Sequence, residues 1–157
     1  MEDSARIAEI GLDDALSGRL RPEVENDRAV AIQDLIDDNS FKLVDGAEGP
    51  YRVELGVDGG RLLLRVLPLA GGEAQVFVLA LSPFRRIIKD YFTICDSYFE
   101  AIRTMAPSQI EAIDMGRRGL HNEGAEKLHE RMQGRAVIDM PTARRLFTLL
   151  AVLHARG

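Results

Sequence analysis

From Ser82 onward, Phe84, Ile88, Tyr91, Cys95, Tyr98, Ile102 and Met105 recur at alternating spacings of four and three. At 100° per residue these side chains share one side of a helix, with Ile87, Phe92, Ile94 and Phe99 flanking them. Arg85, Arg86, Lys89, Asp90, Asp96, Glu100 and Arg103 take the opposite side. Ser82 stands where a cap would be and Pro83 at the first helical position. Five of the nine aromatic residues fall in this one segment, so its stripe predicts the main wall of the core. The same 4-3 spacing also suits pairing with a second helix, as in a homodimer seam.

What the helix packs against is read from the residues before it. Tyr51–Val57, Arg61–Pro68 and Gln75–Leu81 are strand-like runs separated by Asp58-Gly59-Gly60 and Ala70-Gly71-Gly72, both hairpin signals. Short connections imply antiparallel neighbours, hence a meander. Arg6–Leu12 alternates loosely and is a candidate fourth strand. Between them, Pro22 opens a helix whose Val24, Ala31, Ile32, Leu35 and Ile36 form an apolar stripe to about Asp38, where Asn39-Ser40 ends it.

Pro107 breaks the Ser82 pattern and restarts it. Ile110, Ile113, Leu120, Leu128 and Met132 then recur irregularly until Gly134. Val137-Ile138 reads as a short strand, and Pro141 opens a last helix, apolar around most of its circumference. No internal repeat or linker interrupts the chain. The expectation is one α+β domain over residues 1–157: an antiparallel β-meander packed against a long amphipathic helix and C-terminal helices.

Charge is unevenly spread. Residues 1–50 carry a balance of −8 and residues 83–157 one of +3, within a net −5. A mild basic excess in the back half is weak support for anionic partners. Cys95 is the single cysteine, so no intrachain disulfide can form, and its stripe position makes it a small buried hydrophobe. No apolar run is long enough to span a membrane and the N-terminus lacks a secretory pattern, which together predict a cytoplasmic protein.

The candidate site is a polar run, GRRGLHNEGAEKLHER, starting at Gly116. If residues 108–132 form one helix, Glu111, Asp114, Arg118, His121, Asn122 and His129 share a polar face, while Arg117 falls inside the apolar stripe. Arg145 shows the same anomaly in the last helix, lying between Leu149 and Val152 on the wheel. A guanidinium facing a core must meet a carboxylate or carbonyls, because its charge cannot be removed. One reading is a structural pair, with Asp139 and Glu123 the nearest acids to the relevant helix ends. The other is a pocket in which Arg117 and Arg145 receive a phosphate or carboxylate.

If the helix instead breaks at Gly116 and Gly119, Gly-Arg-Arg-Gly becomes a loop. Gly-x-x-Gly loops with basic centres clamp nucleic-acid backbones in KH domains, so RNA is a weakly supported partner. No complete catalytic constellation can be assembled. Arg117 and His121 lie four apart, a spacing with almost no specificity for acid–base chemistry. His121 and His129 are eight residues apart, about 12 Å along a helix, too far to share a metal ion. No cofactor motif is present, and neither a metal nor a cofactor is expected.

Three blocks look familiar. SPFRRIIKDYFTICDSYFEAIR from Ser82, PSQIEAIDMGRRGLHNEGAEKL from Pro107 and TARRLFTLLAVLHARG from Thr142, with patterns around Asp27–Phe41, resemble an uncharacterised family of small bacterial proteins of this length. The resemblance covers essentially the whole chain. It implies a single-domain cytoplasmic bacterial protein and brings no reaction, cofactor or site residue. On the residues alone, the leading expectation is a non-catalytic binding or regulatory protein using Arg117, Arg118, His121, Asn122, Glu123 and Arg145 toward an anion or a protein partner. The alternative is an enzyme or binder acting on a phosphorylated small molecule or RNA through Arg117, Arg118 and His121.

Overall fold

A computed structural model describes residues 4–12 and 22–154. In chain order the elements are β1 (Ile7–Leu12), α1 (Pro22–Asp37), β2 (Phe41–Leu43), β3 (Tyr51–Asp58), β4 (Arg61–Pro68), β5 (Gln75–Ala80), α2 (Ser82–Thr104), α3 (Pro107–Arg131), β6 (Ala136–Ile138) and α4 (Met140–His154). Four strands form a sheet in the order β1-β3-β4-β5, and β2 pairs with β6 in a separate two-stranded ladder.

β3, β4 and β5 make the expected antiparallel meander. Asp58 pairs with Arg61 across Gly59 and Gly60, whose φ angles of 57° and 81° are the left-handed values a two-residue hairpin requires. Tyr51, Val53, Leu55, Leu62, Leu64, Val66, Phe77 and Leu79 alternate onto the buried face. β1 joins this sheet but runs parallel to β3, not antiparallel. The intervening α1 supplies the crossover a parallel neighbour needs.

β2 is an element the sequence reading passed over, treating Asn39-Ser40 only as a helix end. Its three residues are too few for a periodic signal, and they are held by β6, nearly a hundred residues away. The polar pair before it works as a tie. The Asn39 side chain accepts from the Ile7 N–H at 2.7 Å and donates to the carbonyls of Ile7 and Leu35, fastening β1 to the end of α1.

The helices stack in sequence, α2 on α3, α3 on α4 and α4 on α1, with α4 touching β3. α4 is therefore the central helix. Leu146, Phe147, Leu149, Leu150, Val152 and Leu153 are all buried, as its all-round apolarity implies. Asp139 caps it by accepting the Thr142 N–H at 2.9 Å. α2 starts one residue earlier than a Ser82 cap would place it. Leu81 occupies the cap position with no side-chain bond, and Ser82 is already helical.

The α2 stripe enters the core only in its first half. Phe84, Ile87, Ile88, Tyr91 and Cys95 are buried, whereas Ile102 and Met105 are 53% and 44% exposed. Length accounts for this: the 23 residues of α2 span about 35 Å and the 15 of α4 about 22 Å, so the far end of the α2–α3 hairpin outruns its support. α3 is continuous from Pro107 to Arg131, and the expected alternative of a break at Gly116 and Gly119 does not occur. Gly116 faces Ile94 and Gly124 faces the Phe147 ring, so both mark close helix approach rather than a loop. The nucleic-acid clamp built on that loop falls with it.

Candidate functional site

Because α3 is one helix, residues four apart on it are neighbours; Arg117 lies against Tyr98 of α2, and His121 against Tyr91 of α2 and Phe147 and Thr148 of α4. There they line a cavity of about 470 Å³ between α1, α2, α3 and α4. Its basic wall is Arg117, Arg118, Arg144 and Arg145; Val30, Ala31, Tyr91 and Pro141 supply an apolar wall. Among the described residues Asp34 is the one acid on the lining.

The four arginines are held differently. Arg117 donates to Asp114 Oδ1 and lies over the Tyr98 ring, 4.8 Å from its centroid. Arg118 reaches the other Asp114 oxygen at 3.2 Å. Asp114 is shared between them, and its hydrogen bond from Arg117 holds its carboxyl below the usual carboxylate range. Arg144 donates to the Asn122 side-chain oxygen at 3.0 Å, and Arg145 to the backbone carbonyl of Asp38, just beyond α1, at 2.6 Å. Among the described residues neither Arg144 nor Arg145 has a carboxylate within ion-pair distance. A guanidinium carries five N–H donors, so each retains donors beyond the one neutral bond described.

His121 sits at the back of this wall. Its ring packs on Tyr91 and Phe147, with centroids 5.6 and 5.7 Å away, and Nε2 is 2.8 Å from Thr148 Oγ1. Thr148 Oγ1 also lies 3.2 Å from the Arg144 carbonyl, and in the arrangement in which its hydroxyl donates there it accepts from a His121 Nε2–H. Burial first, and then the charges of Arg117 and Arg144, push the imidazole down to about 4. At neutral pH it is an uncharged imidazole inside a cationic wall.

The structure thus brings Arg117, Arg118, His121 and Arg145 to one cavity. Asn122 reaches its edge through Arg144. Glu123 does not belong: it pairs with Arg86 on the α2 side of α3. Asp139, expected as an arginine partner, caps α4 instead, and Asp114 and the Asp38 carbonyl take that role. His129 bonds the Ile138 carbonyl and braces β6, away from the cavity. Tyr91, Arg144 and Thr148 are site residues the sequence reading missed. Arg144 and Thr148 are four apart on the helix that carries Arg145, a spacing that was legible once the wheel was drawn.

The Uncharacterised protein family (UPF0262) model matches residues 4–156, almost the full chain. The chain belongs to the UPF0262 family. A UPF0262 protein of Rhodospirillum rubrum is 54% identical over 157 residues, covering 100% of this chain and 97% of its own length. Others from Rhodopseudomonas palustris and Brucella anthropi are each 52% identical, covering 96% and 98% of this chain and 93% and 96% of their own. No solved structure matches the chain. UPF0262 is a family without an assigned function, so the cavity has to be read from its own chemistry. Among the described residues no helix is long and apolar enough to cross a membrane, and no cluster of three His, Cys, Asp or Glu is placed to hold a metal ion.

Proposed function

We propose that this protein is a cytoplasmic, non-catalytic binding protein that receives an anionic small molecule, bearing phosphate or carboxylate, in the cavity between α1, α3 and α4. One observation carries the reading. Among the described residues four arginines and one acid line the cavity, and two of those arginines, Arg144 and Arg145, have only neutral oxygens as partners. Arg144 is exposed and Arg145 half-buried, and guanidinium forks match the geometry and charge of phosphate or carboxylate oxygens.

Binding is favoured over catalysis by how the reactive groups are occupied. Thr148 Oγ1 and His121 Nε2 are engaged with each other at 2.8 Å, and Thr148 also reaches the Arg144 carbonyl. A base with a pKa of about 4 removes protons poorly at neutral pH. The cytoplasmic placement is supported by the single, buried Cys95, which is at home in a reducing compartment.

Thermal-shift screening against phosphosugars, nucleotides, di- and tricarboxylates and short RNA tests this directly. A true ligand at a hundred times its Kd stabilises the fold by about 2.7 kcal/mol. Stabilisation by one anionic class, lost in Arg144→Met, is the expected outcome. A screen flat across all classes contradicts the proposal.

A further inference from the structure

β5 has a neighbour on one side only, β4, and no other described element packs along its far edge. The phase of the ladder says which groups that edge presents. The Leu81 N–H bonds the Gly60 carbonyl, so the odd-numbered residues of β5 turn their backbone groups toward β4. Val76, Val78 and Ala80 therefore turn theirs outward, and no described group accepts or donates there. Their side chains are exposed as well, Val76 at 53% and Val78 at 46%.

An open edge of this kind invites pairing, and proteins normally blunt it with charges, proline or a bulge. β5 reads Gln-Val-Phe-Val-Leu-Ala, with no charged residue, no proline and an unbroken register against β4. Its ends are oppositely charged. The exposed Glu73 precedes it, while Arg61 lies beside Ala80 on β4 and Arg85 follows in the first turn of α2. A parallel copy would set Glu73 against Glu73. An antiparallel copy sets each Glu73 at the Arg61 and Arg85 end of its partner.

We infer that β5 is the dimerisation edge of this protein, pairing antiparallel with β5 of a second copy about a two-fold axis at Val78. Val78 then faces its counterpart, and Val76 faces Ala80 of the partner. All three outward-facing residues exchange backbone hydrogen bonds, and the two sheets become one eight-stranded sheet. The arrangement is isologous, so it closes at two copies and does not propagate. It is independent of the anion cavity, which lies among the helices.

Sedimentation equilibrium over a concentration series tests the pairing. The expected wild-type species at high concentration has twice the 17.4 kDa chain mass. Val78→Pro removes an outward N–H while leaving the β4 ladder intact, an exchange an edge strand tolerates. Val78→Lys keeps every backbone bond and adds a charge at the axis, so it decides the matter if the proline variant does not fold. Both are expected to be monomers with wild-type circular dichroism, and Glu73→Arg is expected to weaken the dimer at least several-fold. A wild type that stays monomeric at every concentration overturns the inference. So does a dimer that survives both Val78 variants; its loss in Ile102→Arg would then place the interface on the exposed end of α2.

Discussion

His121 makes a pH dependence that can be worked out in advance. In the unfolded chain its imidazole titrates at the ordinary 6.5, and in the folded protein at about 4, because burial and the nearby Arg117 and Arg144 disfavour the charged form. Between those values the unfolded state holds a proton that the folded state lacks, so stability rises with pH across the window. The contribution is complete above about 6.5 and is lost as pH falls through about 4. At 1.36 kcal/mol per unit the ceiling is about 3 kcal/mol; partial solvent access to the ring brings the expectation to about 2 kcal/mol. Urea denaturation of wild type and His121→Gln at several pH values between 7.5 and 4.5 measures it. Glutamine retains an N–H for Thr148, and carboxylates held low by arginines, Asp114 and Glu54 among them, titrate in both proteins and cancel in the difference. The variant is expected to lose less stability on acidification. Parallel curves would refute the claim that a neutral imidazole is enforced at this position.

Three further outcomes follow from packing. Gly124→Ala should destabilise by about 1–2 kcal/mol in thermal or urea unfolding: the added methyl overlaps the buried Phe147 ring, and that overpacking outweighs the gain of about 1 kcal/mol in helix propensity. Ile88→Ala should cost about 2–5 kcal/mol and Ile102→Ala less than about 1 kcal/mol, although both belong to one stripe; equal costs would mean that the end of α2 is covered. Arg145→Met should cost only about 1 kcal/mol of stability, from loss of the Asp38 carbonyl bond, since no buried carboxylate is left behind.

The meander, α1, α2 and α4 were legible because each carries a long periodic signal bounded by proline or glycine. The direction of β1 was not, since a six-residue strand shows alternation but not which neighbour it will meet. β6 was legible as Val137-Ile138, but β2 is three residues whose one described strand partner is β6 across the chain, and no local pattern reveals it. At the site, Arg117 and Arg145 were visible as violations of apolar wheels, and the structure places both on one cavity. Their partners are not legible in the same way, because nearness along the chain is not nearness in space. Asp114, one helical turn from Arg117, is closer in space than Glu123, which faces α2. The extent of the stripe misled in a similar way. Its 4-3 spacing continues past Cys95, but spacing cannot show where the supporting helix ends.

The central claim is that the cavity is an anion site built on Arg144 and Arg145, two arginines that no described carboxylate meets. Isothermal titration of inorganic phosphate and pyrophosphate into wild type and into the Arg144→Met, Arg145→Met double variant tests it most directly, with melting recorded for both. The account predicts saturable binding to wild type, at least tenfold weaker in the double variant, and a variant that still unfolds cooperatively. Absence of saturable heat for either anion, or equal affinity in the two proteins, would contradict it.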